Sequence, residues 1–194
     1  TTNNEQHPYN IDLPVELSIR LNQSGFPVNG MVIKSSPIIS DLDGNMTQDI
    51  FFGSDDGKFY GYMSEGVPMY GFPFSTDGDI RSSPAIADLD NDGNNEIIFG
   101  SNDGKLYILD AYGNQELAYV QSGVINGSPA IVDLDLDGDY EIIFTTYGGI
   151  NSNGEVYAIH HDGNDADGFP IGIDEKMMVG AAVGDLEGDG FSEI

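Results

Sequence analysis

SSPAIADLDNDGNNEIIFGSNDGKLYIL, residues 82–109, aligns without a gap onto SSPIISDLDGNMTQDIFFGSDDGKFYGY, residues 35–62. A third copy, GSPAIVDLDLDGDYEIIF, begins at Gly127, and a fourth, GAAVGDLEGDGFSEI, begins at Gly180. The first aspartates of the four copies, Asp41, Asp88, Asp133 and Asp185, lie 47, 45 and 52 residues apart. A fixed period of that size predicts an architecture of stacked, similar units, each too small to bury its apolar surface alone.

Within each unit the order is constant. A Gly-Phe-Pro segment (25–27, 71–73 and 168–170) precedes a Ser-Pro strand, an acidic loop and an apolar strand such as IIF. An Asp-Gly turn and a strand carrying an aromatic close the unit. Asp-Gly between two β-like runs reads as a two-residue hairpin, and in the third copy TTYGGINSNGE makes a longer loop. Tyr60, Tyr107 and Tyr157 share one repeat position, where a core aromatic is favoured over a ligand-stacking one; the same holds for Phe26, Phe72 and Phe169. About four short strands per unit is the pattern of β-propeller blades, so the expected fold is all-β, with 3.5 to 4 repeats of a four-stranded antiparallel blade. Residues 1–15 read as an N-terminal extension and 16–194 as the repeats.

The acidic loops occupy 41–49, 88–96, 133–141 and 185–193. Crowded carboxylates raise one another's pKa unless a cation sits among them, and this chain sets 33 Asp and Glu against 6 Lys and Arg. A hard cation such as Ca²⁺ takes six to eight oxygens. In the second loop Asp88, Asp90 and Asp92 at positions 1, 3 and 5 supply side chains, Gly93 permits the turn, Asn94 offers its carbonyl and Glu96 at position 9 closes the shell. The third loop has Asp133, Asp135, Asp137, Asp139 and Glu141. The fourth has Asp185, Glu187, Asp189, Phe191 and Glu193. The first has Asp41, Asp43, Asn45, Thr47 and Asp49, but Met46 stands where the others have glycine, so this site is expected to be weakest or empty. In every copy Ile follows the position 9 acid.

An EF-hand would need a glutamate at position 12, where Phe52, Phe99 and Phe144 stand, and flanking helices in place of β-rich segments. Zinc would call for His or Cys, absent from the loops; magnesium prefers a smaller shell that keeps its waters.

The Ser-Pro strand, the DxDxDGxxE loop and the tripeptides Phe52-Gly53-Ser54 and Phe99-Gly100-Ser101 together resemble the FG-GAP or VCBS repeat, the unit also seen in integrin α-subunit heads. The resemblance spans roughly residues 16–194. It implies a β-propeller with Ca²⁺ at the blade edges, usually in a secreted or surface protein. The fourth unit departs from the pattern, since it stops at Ile194 after its loop. Such an open end exposes strand edges, which points to a piece of a longer propeller, to Pro14–Leu21 as a closing strand, or to self-association through the edges.

A net charge of −27 argues against nucleic acid and anionic membranes. No run of 18 apolar residues suggests a membrane span, and no basic, apolar leader is visible. The start, TTNNEQHPYN, suits a processed or excised segment. Without cysteine there is neither a disulfide framework nor a thiol nucleophile. Of the three histidines, His7, His160 and His161, the last two read as surface turn residues, the SSP serines as packing and turn residues, and Arg20, Arg81 and the lysines as scattered. The expectation is a non-catalytic, extracellular adhesion, ligand-binding or scaffold module with a protein or glycan partner. The alternatives are the propeller portion of a secreted polysaccharide-degrading lyase or hydrolase, and a self-assembling surface-layer or filament subunit.

Overall fold

The computed structural model describes residues 25–26, 28–148 and 153–194. The extension at 1–15, Pro14–Leu21, His7, Arg20, Pro27 and residues 149–152 of the third-copy loop lie outside the described residues.

Twelve strands form three four-stranded antiparallel sheets, and the described residues contain no helix. The first sheet is β1 (Ile38–Ser40), β2 (Asp49–Gly53), β3 (Lys58–Tyr62) and β4 (Phe74–Ser75). The second is β5 (Ala85–Ala87), β6 (Glu96–Gly100), β7 (Lys105–Leu109) and β8 (Gln115–Val120). The third is β9 (Ala130–Val132), β10 (Glu141–Thr146), β11 (Glu155–Ile159) and β12 (Ile171–Gly172). Each sheet is a simple meander in chain order. The fourth unit shows a single antiparallel bridge, Gly184 to Glu193.

β6 is buried at all five residues. After Glu96 it is apolar in unbroken sequence, because both of its faces are covered, one by the sheet before and one by the sheet after. Ile97, Phe99, Tyr107 and Leu109 join Phe51 and Phe59 of the first sheet in one cluster. Ile98, Leu106 and Ile108, which alternate with them, join Ile142, Phe144, Tyr157 and Ile159 of the third. Ile143, Val156 and Ala158 repeat the alternation and meet Ala181 and Val183 of the fourth unit. Across the first boundary Phe59 stacks on Phe99, ring centres 4.2 Å apart and planes within 6°. Such an offset aromatic pair adds about 0.5–1.5 kcal/mol to the area it buries.

The Phe-Gly-Ser tripeptide has a packing cause. A Cβ on Gly53 would overlap the side chain of Ile80, and one on Gly100 would overlap Ile125. Each glycine ends the second strand of its sheet where an isoleucine of the next unit leans across it. The serine that follows fastens the same boundary: Ile80 N–H donates to the Ser54 carbonyl at 3.0 Å, and Ile125 N–H to the Ser101 carbonyl at 3.2 Å. In the third sheet Thr145 takes the glycine's place, and its hydroxyl donates to the Val179 carbonyl at 2.6 Å.

One expectation about turns is corrected. The β2–β3 and β6–β7 connections are not two-residue hairpins. Ser54 N–H bonds the Lys58 carbonyl at 3.1 Å and Ser101 N–H the Lys105 carbonyl at 3.0 Å, which leaves three residues in each loop. Gly57 and Gly104 take the left-handed conformation there, with φ of 75° and 84°, as three-residue loops require at their last position. The SSP serines do act within the packing: Ser35 Oγ donates to the Gly53 carbonyl at 3.0 Å and Ser82 Oγ to the Gly127 carbonyl at 2.9 Å.

Candidate metal centres

Each of the first three acidic loops joins the first and second strands of its sheet, so its position 9 acid is the first residue of a buried strand. Asp49, Glu96 and Glu141 are accordingly almost fully buried, and Glu193 sits at the corresponding bridge.

The four loops share one backbone. Position 6 donates its N–H to Oδ2 of the position 1 aspartate: Met46 to Asp41 at 2.8 Å, Gly93 to Asp88 at 3.0 Å, Gly138 to Asp133 at 3.1 Å and Gly190 to Asp185 at 2.9 Å. Position 7 donates to the position 5 side chain: Thr47 to Asn45 at 2.8 Å, Asn94 to Asp92 at 2.7 Å, Asp139 to Asp137 at 2.9 Å and Phe191 to Asp189 at 3.0 Å. Positions 4 and 6 are both left-handed throughout. The pairs are Gly44 and Met46, Asn91 and Gly93, Leu136 and Gly138, Gly188 and Gly190.

This removes the ground for ranking the first loop lowest. Met46 adopts a φ of 66° while Gly44 takes position 4; in the second and third loops a non-glycine residue, Asn91 or Leu136, sits at position 4 and glycine at 6. Each of these three loops carries one non-glycine residue at positive φ, so the strain at Met46 is not peculiar to it.

Carboxylate oxygens converge in every loop, mutually within 4.8 Å: Asp41, Asp43 and Asp49; Asp88, Asp90 and Glu96; Asp133, Asp135 and Glu141; Asp185, Asp189 and Glu193. That span matches two oxygens on opposite sides of a cation with bonds of about 2.4 Å. Two expected ligands of the second and third loops, Asp92 and Asp137, fall outside these groups. Their Oδ1 atoms are turned to the N–H groups of Asn94 and Asp139, holding the curve of the loop. Glu187 is also outside its group, and Asp189 of position 5 replaces it.

The donors fit a hard cation on a second ground. Both carboxylate oxygens of Asp49, and Asp41 Oδ1, are buried without a hydrogen-bond partner. An unpartnered buried carboxylate is costly. Burial, with Asp43 and Asp41 adding repulsion, pushes the Asp49 carboxyl up to about 6. Glu96 rises to about 7, chiefly by burial, even though Leu89 N–H donates to its Oε2 at 2.8 Å. Burial also raises Glu141, whose Oε2 accepts from Leu134 at 2.7 Å. Asp49 is one methylene shorter and makes no such bond to Leu42. Of these position 9 acids it therefore depends most on an added cation. An all-oxygen set of this kind supplies charge neutralisation and loop closure, with Asp41, Asp43 and Asp49 and their counterparts as holders.

Two residues gain a place that the repeat pattern did not give them. His160, expected as a surface turn residue, does begin a turn, but its Nδ1 stands 3.1 Å from Glu141 Oε1, close without the alignment of a hydrogen bond. Glu116 on β8 lines two cavities, of about 360 and 260 Å³, beside the loops. Its carboxyl is raised by burial and then by Asp110, Asp90 and Asp92. Neither residue type recurs at the equivalent position of another unit, where Asp110 and Met63 match His160 and where Met69 and Ala166 match Glu116, so self-comparison carried no signal for them. His161 lines the smaller cavity.

Tyr107 and Tyr157 are core residues as expected, whereas Tyr60 is half-buried and stacked on Phe52; all three hydroxyls are used. Tyr60 donates to Asp56 at 2.7 Å, Tyr107 to Asp103 at 2.7 Å and Tyr157 to Glu155 at 2.8 Å. Arg81 bridges units at the opposite end of the sheets, its Nε 2.8 Å from Asp55 and its Nη2 2.8 Å from Asp79. Hydrogen bonds from Arg81 and Lys34 hold the Asp55 carboxyl below its ordinary value.

No model of a known protein family matches this sequence, and no curated protein does. Among solved structures the chain is similar to the biofilm matrix protein Bap1 of V. cholerae, with a TM-score of 0.50 and 20% identity over 84% of this chain and 34% of that one. It is also similar to the computationally designed protein Ika4, with a TM-score of 0.56 and 10% identity over 90% of this chain and 97% of that one. BamB from Moraxella catarrhalis gives a TM-score of 0.46 at 19% identity over 72% of this chain and 38% of that one. The chain spans about a third of the length of Bap1. At these identities the likeness is one of fold: an all-β repeat of four-stranded antiparallel sheets. No helix among the described residues is long and apolar enough to cross a membrane.

Proposed function

We propose that this chain is a calcium-binding β-propeller module of the FG-GAP or VCBS type, acting outside the cell as a non-catalytic scaffold for a protein or glycan partner. The observation that carries the calcium reading is Asp49, fully buried with both carboxylate oxygens unpartnered and aimed into a cluster with Asp41 and Asp43. The same loop backbone in all four units supports one ion per loop. The extracellular setting follows from affinity. Extracellular calcium modules can work with dissociation constants of roughly 10⁻⁴ to 10⁻³ M, which cytosolic calcium would not fill.

In this reading the cation neutralises the position 9 acid at the start of a buried strand. In the second and third sheets that strand packs against the units on both sides, and in the first against the second sheet, so ion binding fixes the spacing of the units. Isothermal titration with Ca²⁺ after chelation tests the proposal. The expected result is binding of several ions per chain, abolished in the combined variant Asp49→Asn, Glu96→Gln, Glu141→Gln, Glu193→Gln. No measurable heat at millimolar calcium would overturn it.

A further inference from the structure

The four loops close alike, but their position 9 acids are tied down differently. Glu96 Oε2 accepts from the Leu89 N–H at 2.8 Å, Glu141 Oε2 from Leu134 at 2.7 Å and Glu193 Oε2 from Leu186 at 2.8 Å. Each glutamate thus reaches back to position 2 and clips the two ends of its loop together. Asp49 is one methylene shorter and fully buried, and its carboxylate makes no hydrogen bond. Both of its oxygens and Asp41 Oδ1 are buried without a partner. In the second loop no carboxylate oxygen is left so, and in the third only Glu141 Oε1, with His160 Nδ1 3.1 Å away.

The remaining side-chain bonds of the first loop are internal. Met46 N–H donates to Asp41 at 2.8 Å, Asn45 to Asp43 at 3.2 Å and Thr47 to Asn45 at 2.8 Å, so they shape the loop without attaching it to a neighbour. Beyond the pairing of Ser40 with Asp49 at its root, what holds the loop down is Leu42, 7% exposed in the cluster that joins the first two sheets. An ionised carboxylate buried without a partner costs more than one buried leucine side chain contributes. In the second and third loops the clip offsets that cost, since a hydrogen bond to the charged form favours it.

We propose that the first loop is a calcium-gated flap: without an ion it lifts, carrying Leu42 out of the core, while the second and third loops stay shut on their Glu–Leu clips, and a cation among Asp41, Asp43 and Asp49 closes it. The choice of aspartate over glutamate at position 9 sets this behaviour. Residues 41–44 line a cavity of about 360 Å³ together with Glu96, Tyr112 and Glu116 of the second unit, so the same movement makes and unmakes the cleft between the two units. The closing step rests on the calcium reading; the selective lifting does not.

Hydrogen exchange read by mass spectrometry on the whole chain at pH 8, in chelator and in millimolar Ca²⁺, tests both. In chelator residues 41–49 are expected to exchange about tenfold faster or more than 88–96 and 133–141, the scale of one unsatisfied buried group, and calcium to slow them to the same level. Asp49→Glu supplies the missing reach to Leu42 and is expected to protect the first loop in chelator; Glu96→Asp is expected to free the second. Circular dichroism matching wild type shows that the variants fold. Should Asp49→Glu not fold, Asp49→Asn, which removes the charge, is expected to protect the loop in chelator as well. A first loop as protected as the other two in chelator, one whose exchange neither substitution of Asp49 slows, or a second loop that stays protected in folded Glu96→Asp would each overturn the selective lifting. Fast exchange that persists in calcium while terbium luminescence shows bound metal would overturn the closing step. Absence of terbium binding to the wild type would instead overturn the calcium reading, and the closing step with it.

Discussion

The backbone N–H of Met46 donates to Asp41 Oδ2 at 2.8 Å, the bond that a glycine makes in each of the other three loops. A methionine at left-handed φ is tolerated there because Gly44, two residues earlier, takes the other left-handed position. The first loop therefore closes as the others do, and the difference that matters lies at its far end, in Asp49.

Asp49→Asn is expected to change stability in opposite directions with and without calcium. In chelator the substitution removes a buried, unpartnered charge and stabilises by about 1–3 kcal/mol, the scale of an unsatisfied buried group. In saturating calcium it removes a ligand and destabilises. Thermal melts of the two proteins in both buffers check this. A variant less stable than wild type in chelator would refute the role given to Asp49.

Calcium is expected to raise the melting temperature of the wild-type chain, and magnesium to raise it less. A site held at a hundredfold excess over its dissociation constant contributes about 2.7 kcal/mol, and about 1 kcal/mol moves a domain of this size by roughly 2–4 °C. Scanning calorimetry after chelation, then with each ion restored, measures the difference. Equal rescue by both ions would count against a calcium-sized shell.

The pH dependence has a definite sign. Folding raises the carboxyls of Asp49 to about 6 and of Glu96 to about 7 from ordinary values of 3.8 and 4.5, and raises Glu141 as well. In the ion-free protein these groups contribute stability that is fully present below about pH 4 and lost as pH rises through 6 to 7. Chelated protein should thus melt higher at pH 5 than at pH 8. Calcium needs the deprotonated forms, so its stabilising increment should grow over the same interval. Melts in calcium and in chelator at both pH values test the two trends.

Gly100→Ala should destabilise the chain by about 1–3 kcal/mol, the usual cost of overpacking, because the added methyl overlaps Ile125 across the boundary between the second sheet and the next unit. Chemical denaturation checks the magnitude. The double substitution Gly100→Ala, Ile125→Ala should cost less than the sum of the two single substitutions, since alanine lacks the Cγ2 atom that lies nearest the added methyl.

The sheet count and strand order were legible because Ser35–Tyr62 and Ser82–Leu109 repeat without a gap, and strands sandwiched between sheets must be apolar on both sides, as IIF is. The four acidic clusters were legible because position 9 acids recur just before that apolar run. The ranking of the first loop was not, because a glycine can serve at either of two left-handed positions and sequence spacing sees only one of them. The turning of Asp92 and Asp137 toward backbone N–H groups was hidden as well, since an aspartate that curves a loop looks the same in sequence as one that faces its centre. His160 and Glu116 act across strands, at repeat positions that hold other residue types elsewhere, and their neighbours become visible only once the sheets are stacked.

The most direct measurement is diffraction from crystals grown in millimolar calcium, collected at a wavelength where calcium scatters anomalously. The account predicts a peak enclosed by Asp41, Asp43 and Asp49, and others enclosed by the Asp88–Glu96, Asp133–Glu141 and Asp185–Glu193 loops. Ordered loops with no anomalous density among those carboxylates would contradict it.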